Sequence, residues 1–302
     1  MSRAPGNFTL GKFALGNLAL GLRHRQRLIE IGSIALGAVL LIWTLLPVYN
    51  LLLIALDPEE GEIEFTGNLW TSEPTLDGFI DVITQKARYL EDFWQQFGNS
   101  VFIGLLTMVL TVLVGSLASF AVSRLRLARG SLLTNAALLT YAIPAAFLIV
   151  PYYRIMHDYG LYDNLWAVVL AQVTFATPFA ILILQLYGRL IPLELDDSAR
   201  VDGASPLQVY LRIYLPLMVP ALAVVAIYAL LLAWNDYLYQ AVLLSPRNMT
   251  VSMVQGQLFF DVDAEWNAMM AAAILYVLPP LALLFALRRY VAASLAMVSS
   301  GP

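Results

Sequence analysis

Few side chains in this sequence could do chemistry, and they fall in two groups. The first lies in one stretch, Ile191 to Pro220, which carries Glu194, Asp196, Asp197, Ser198, Arg200, Asp202 and Ser205 within fifteen residues of its start. Acids packed that closely on a short helix make a face for another protein, not a site that breaks bonds. The second is scattered through apolar stretches: Gln172, Thr174, Thr177, Gln185, Trp234, Asn235, Asp236, Tyr237, Tyr239 and Asn267. A polar group at membrane depth marks a solute path or an interhelical hydrogen bond. Amides beside aromatic faces suit a neutral, hydroxyl-rich solute. Catalytic constellations are missing. The two histidines, His24 and His157, are far apart, and no pair of acids falls inside an apolar stretch. With no cysteine, the chain can form neither disulfides nor thiolate metal sites. Gly6 to Lys12 imitates the front of a phosphate-binding loop, but Phe13 stands where magnesium needs Ser or Thr, and no apolar strand precedes it. The chain therefore has no ATPase of its own.

The elements that must position these residues are membrane helices. The chain is 60% hydrophobic and 13% charged, against about 25% charged in soluble domains. Six stretches lack ionisable side chains: Ile31–Leu56, Asn99–Ser123, Ser131–Tyr153, Asn164–Gly188, Ile213–Asn235 and Trp266–Leu287. Each is long enough to cross hydrocarbon, which takes roughly 20 residues as a helix. Barrel strands would be shorter and alternating. The inner segments hold 13 of the 17 Lys and Arg, among them Arg23, Arg25, Arg27, Arg124, Arg126, Arg129, Arg288 and Arg289. The outer segments hold Lys86, Arg88, Arg154 and Arg247. By the positive-inside rule both termini are cytoplasmic. Some 30 residues precede the first stretch, which is too long for a cleaved signal and reads as a retained anchor. The net charge of −4 sums two unlike faces and implies no nucleic acid.

The expected layout is an all-α polytopic membrane protein. It has an inner arm over 1–30, a first span over 31–56 and an outer loop over 57–98. Spans two to six occupy 99–287, with an inner loop at 189–212, and an inner tail covers 288–302. Leu76 to Phe97 is amphipathic enough to lie as a helix on the membrane surface. Asn235 is expected roughly 24 Å above Val219, in the outer third of span five. Prolines 47, 144, 178, 220, 279 and 280 fall within spans, and no internal repeat is visible.

The inner loop predicts helix, turn, helix. Pro192 suits the first turn of the first helix, with Glu194, Asp196 and Asp197 near its positive end. Gly203 suits the left-handed residue that ends it. Ser205 and Gln208 form a capping box around Pro206. Leu195, Ala199 and Asp202 share one face.

This loop resembles the EAA loop of ABC importer permeases, named for a Glu-Ala-Ala triplet that leads into Asp-Gly-Ala-Ser and an Ile-x-Leu-Pro-Leu-x-x-Pro ending. Asp202-Gly203-Ala204-Ser205 and Ile213-Tyr214-Leu215-Pro216-Leu217-Met218-Val219-Pro220 match in full, whereas the triplet is Asp197-Ser198-Ala199. Asp keeps the charge and shortens its reach. Trp234-Asn235-Asp236 and Arg289-Tyr290 also resemble the second permease subunit of maltose-type importers. The resemblance covers the last four spans by motif and the first two by topology.

The resemblance implies the type I importer permease fold, in the inner membrane of a bacterial or archaeal cell. Its implied partners are a homologous permease, two ATPase subunits, an extracytoplasmic binding protein and membrane lipid. ATP and magnesium would be held by the ATPases, with no cofactor in this chain. Asp197, Ser198, Ala199, Asp202, Gly203 and Ala204 would contact an ATPase, and Trp234, Asn235, Asp236, Tyr239 and Gln172 would face the path. The expected cargo is a carbohydrate or polyol. Another small solute, or a self-sufficient channel or secondary transporter, is the alternative. A channel has no use for a capped inner loop, and a membrane enzyme would need catalytic groups that the sequence lacks.

Overall fold

A computed structural model describes residues 8–58, 70–71, 73–87, 90–125, 130–258 and 265–299. Gly6 and Asn7 of the phosphate-loop imitation, residues 59–69 of the first outer loop, and the basic residues Arg88, Arg126 and Arg129 lie outside them.

Every regular element among the described residues is helical. Five helices are long and apolar enough to cross a membrane: Ile29–Ala55, Phe93–Arg124, Leu165–Gly188, Pro206–Trp234 and Trp266–Ala292. The first belongs to α1 (Phe8–Ala55), whose helix continues back through most of the expected inner arm. No residue in its most apolar window is buried, as suits a helix whose side chains meet lipid.

The centre is a trio, α3 (Phe93–Arg124), α6 (Leu165–Gly188) and α9 (Leu215–Trp234), packed mutually. α12 (Trp266–Ser299) lies against α9, and α1 against α12. Without a hydrophobic drive between helices in lipid, close packing depends on small residues. In α3 a Cβ on Gly115 would sit 2.8 Å from that of Ala180, and one on Gly104 would sit 3.0 Å from the Trp234 ring. Hydroxyls tie the inner half together: Ser116 bonds Tyr210 at 2.7 Å and Ser119 bonds Tyr214 at 3.0 Å.

Three sequence expectations are altered. The stretch expected as a third uninterrupted span, Ser131–Tyr153, is two helices, α4 (Gly130–Leu139) and α5 (Ala145–Asp158). Between them stand a 3-10 turn at Thr140–Ala142 and an extended Ile143, with ψ of 116°. Proline drives the residue before it out of the helical region, and Pro144 follows Ile143. The Leu76–Phe97 stretch is not one surface helix. It holds α2 (Asp77–Ile83), packed on α12 with Gly78 against the Asn267 backbone, and then the start of α3. Pro192 precedes the inner-loop helix, which starts at Glu194.

Candidate functional site

The inner loop folds as its local chemistry demands. α7 (Glu194–Val201) carries three acids in its first turn and Arg200 in its last, matching the helix dipole at both ends. Gly203 has φ of +86°, a conformation that L side chains rarely adopt. Its N–H reaches the Arg200 carbonyl and the Ala204 N–H reaches that of Ala199, the double bond pattern of a Schellman ending. α8 (Pro206–Val209) opens with the capping box of Ser205 and Gln208. It runs through a π turn at Tyr210–Tyr214 into α9. Pro216 supplies the cause: it has no N–H for the Arg212 carbonyl, and its ring crowds that carbonyl. A π turn absorbs the mismatch.

The loop divides its residues by exposure. Asp197, Ser198, Asp202 and Gly203 are exposed, whereas Ala199 and Ala204 are half-buried against the inner core. Ala199, Asp202, Gly203 and Ala204 border one depression of about 420 Å³, with Gln208, Arg212 and Ile213. Apolar side chains of the same loop are exposed: Val201 is 88% exposed, Leu207 62% and Leu195 44%. Leu195 therefore belongs to the outward face and Ala199 to the inward one, although they are one turn apart.

The second site is a cavity of about 640 Å³ between α6, α9 and the α4–α5 break. It brings together Gln172, Asn235, Asp236 and Tyr239, four of the five polar or aromatic residues expected on a path. Gln172 is buried and lines the cavity together with Asp236. The Asp236 carboxylate accepts the Gln240 N–H at 3.2 Å and stands 3.5 Å from that of Tyr239, capping α10 (Leu238–Leu243). The Asn235 amide donates to the Leu231 carbonyl at 2.9 Å. Tyr239 donates to the Ala145 carbonyl in the first turn of α5 at 2.7 Å, next to the break at Pro144. Irregular backbone at membrane depth persists where it lines a cavity.

Trp234 is elsewhere. It is 3% exposed, stacked on Tyr276 with ring centroids 4.6 Å apart and set over Gly104. The cavity's aromatic faces come instead from Phe175, Tyr228 and Tyr239. Tyr152 braces two of them, 5.8 Å from Tyr239 and 6.1 Å from Phe175. Sequence reasoning missed Phe175, Tyr228 and Tyr152, because an aromatic in an apolar run looks like any lipid-facing residue. Pro144 was the available signal for the break beside them.

No cluster of three potential metal ligands occurs among the described residues. Among the described residues, apolar helices long enough to cross a membrane, a cavity between them with polar lining residues, and a capped loop with exposed apolar side chains suit a transporter subunit. Residues 111–297 match the family described as binding-protein-dependent transport system inner membrane component, and the chain belongs to that family. It is 32% identical over 258 residues to the inner membrane ABC transporter permease protein YcjP of Escherichia coli K12, covering 85% of this chain and 91% of that one. It is 30% identical to the trehalose transport system permease protein SugB of Mycobacterium tuberculosis, covering 84% and 91%. It is 29% identical to the arabinooligosaccharides transport system permease protein AraQ of Halalkalibacterium halodurans, covering 82% and 88%. In fold it resembles a chain from a bacterial ABC transporter involved in the import of the acidic polysaccharide alginate. The TM-score is 0.71 at 19% identity, over 88% of this chain and 98% of that one. The protein is thus a non-catalytic, multi-pass permease component of an ABC importer of the inner membrane.

Proposed function

We propose that this permease forms, with a homologous sister subunit, the membrane path for a carbohydrate or polyol delivered by an extracytoplasmic binding protein. Two cytoplasmic ATPases, holding ATP and magnesium, drive it through the inner loop. Six crossings with both termini inside complete the picture: α4 and α5 together make one interrupted crossing. The lysine and arginine bias supports that orientation.

The observation that carries the solute class is the composition of the cavity. Its volume falls within the roughly 300–1,000 Å³ typical of small-molecule sites. One amide at Gln172, one at Asn235 and the aromatic faces of Phe175, Tyr228 and Tyr239 offer what a neutral polyhydroxyl solute requires. The relatives named for trehalose and arabinooligosaccharides agree with that chemistry. The observation that carries the coupling role is that one short loop exposes three apolar side chains, Leu195, Val201 and Leu207, together with Asp197. Apolar side chains beside an aqueous loop need a protein partner.

The test is uptake of labelled di- and oligosaccharides into vesicles holding the full complex, with ATP hydrolysis measured alongside. Asn235→Leu is expected to cut uptake about tenfold while the ATPase still co-purifies. Gly203→Val forces a β-branched residue to positive φ, a cost of about 1–2 kcal/mol, and is expected to uncouple hydrolysis from uptake or release the ATPase. Parent-like behaviour of both variants overturns the proposal.

A further inference from the structure

One acid of α7 is set apart from its neighbours. Glu194 and Asp197 are exposed, but Asp196 is 3% exposed and turned into the protein. There its carboxylate meets Arg124, the last residue of α3, at 3.3 Å, with side chains only 4% and 1% exposed. The two charges are close enough to pair but are not aligned as a hydrogen bond. A second nitrogen of Arg124 bonds elsewhere: Nη2 donates to the carbonyls of Gly188 at 3.0 Å and Ile191 at 3.1 Å. These are carbonyls at and just beyond the end of α6, where a helix runs out of regular backbone partners; the Gly188 carbonyl also takes the Ile191 N–H at 3.3 Å. Arg200 of α7 completes the exchange by donating to the Arg124 carbonyl at 3.2 Å. The Tyr214 ring lies 5.8 Å from the Arg124 guanidinium, and its hydroxyl is bonded to Ser119. Four segments therefore converge on one guanidinium: the ends of α3 and α6, α7, and the π turn before α9.

A buried ion pair is a poor source of net stability. Stripping water from both charges costs several kcal/mol, and well-packed apolar residues often hold a fold as firmly. What a pair of opposite charges adds is a fixed mutual position. Besides the pair, α7 is held by the Arg200 bond to the Arg124 carbonyl, by Ala199 against the neighbouring core, and by chain, through Ile191–Leu193 to α6 and through the Gly203 turn and the π turn to α9.

We infer that Arg124 and Asp196 are positioning residues that make α7 one body with the inner ends of α3 and α6. A displacement of α7 then reaches α6 directly, and α6 carries Gln172 and Phe175 of the cavity. Without the pair, only the Arg200 bond and the Ala199 contact resist the motion of α7 on its two connecting turns, and more of the push is spent on bending those turns. The inference rests on the reading of α7 as the ATPase-coupling element.

The experiment uses the assembled complex in vesicles and reads sugar taken up per ATP hydrolysed. Asp196→Asn keeps the volume and removes the charge. It is expected to lower the ratio about tenfold, within the range of coupled contacts, while the ATPase co-purifies at parent level. Because this chain has no cysteine, Arg124→Cys with Asp196→Cys creates its only thiol pair, the other subunits being made cysteine-free. The pair is expected to behave like Asp196→Asn when capped by a monofunctional thiosulfonate. A bifunctional thiosulfonate spanning the two sites should restore the ratio to within about twofold of the parent. An unchanged ratio in Asp196→Asn overturns the inference. So do equal ratios in capped and bridged protein, or loss of membrane insertion in both variants, which would make the pair a support of the fold alone. If the parent complex holds no ATPase, or Gly203→Val couples normally, the coupling reading itself fails instead.

Discussion

Asp163 shows how much one residue outside the spans can organise. It sits at φ of 60°, a left-handed conformation that Asp tolerates better than most residues. From there its Oδ1 accepts the Ser245 N–H at 2.8 Å and its Oδ2 the Ser245 hydroxyl at 2.7 Å. The Asn248 amide donates to its carbonyl at 2.8 Å and to Oδ1 at 3.0 Å. These bonds clasp the α5–α6 loop to the segment after α10. Partial burial pushes the Asp163 carboxyl upward in pKa, but the Ser245 and Asn248 bonds and the nearby Arg247 charge together outweigh it, and the net shift is downward from 3.8. A lowered carboxyl stabilises the clasp fully above its unfolded value, and that contribution is lost as pH falls through the lowered one. Hydrogen exchange at the Ser245 amide should therefore be slow at neutral pH and remain so to below pH 3.8. In Asp163→Ala the same amide should exchange about tenfold faster at neutral pH, the worth of roughly one to two hydrogen bonds. Equal exchange in both proteins would remove the clasp.

At the scale of elements, the contact between α3 and α6 depends on how near their backbones come. Gly115 faces Ala180 so closely that any larger side chain must push the helices apart. Gly115→Leu should cost about 1–3 kcal/mol, the usual penalty for overpacking. It should be visible as a lower melting temperature in detergent and as less protein surviving extraction. Gly37 of α1 has nothing within 4 Å of its Cβ position. Gly37→Leu should stay within about 0.5 kcal/mol of the parent. If the two variants melt alike, tight α3–α6 packing is not what holds the trio. The α4–α5 break belongs to the same scale. It is held from the side by Gln185 of α6, which donates to Thr134 of α4 at 2.8 Å, and by Tyr239 on the Ala145 carbonyl. A proline alone would only bend a helix; these two bonds keep the bend where the cavity needs it.

For the whole molecule, the proposed topology makes a prediction about sides. Tyr159, beyond α5, is 79% exposed, and Val201, at the end of α7, is 88% exposed. Placed singly in this cysteine-free chain, cysteines at 159 and 201 should react differently with an impermeant maleimide added to intact cells. Residue 159 should label at once and residue 201 only after the membrane is opened. Labelling of both in sealed cells would refute an inner α7 and, with it, any contact between that helix and a cytoplasmic ATPase.

The signals carried by the sequence alone were local ones. Uncharged runs near 20 residues announced membrane helices, because a backbone in lipid has to satisfy itself. Gly203, Ser205, Pro206 and Gln208 announced the turn of the inner loop, because caps and positive φ are decided by neighbours in the chain. The motif from Asp202 to Pro220 announced the family for the same reason: it is continuous. Tertiary structure decided what depends on distant partners. Asp196 and Asp197 are adjacent acids, yet about 100° of helical rotation sends one to Arg124, 72 positions earlier in the chain, and leaves the other exposed. Trp234 and Tyr239 looked equally fit for a path, yet α3 and α12 enclose the first while the α4–α5 break opens a cavity beside the second. Pro144 was visible as a residue, but not as the corner of that cavity. A proline fixes only its own φ and the region of its predecessor, whereas the space beside it is made by the helices that fail to fill it.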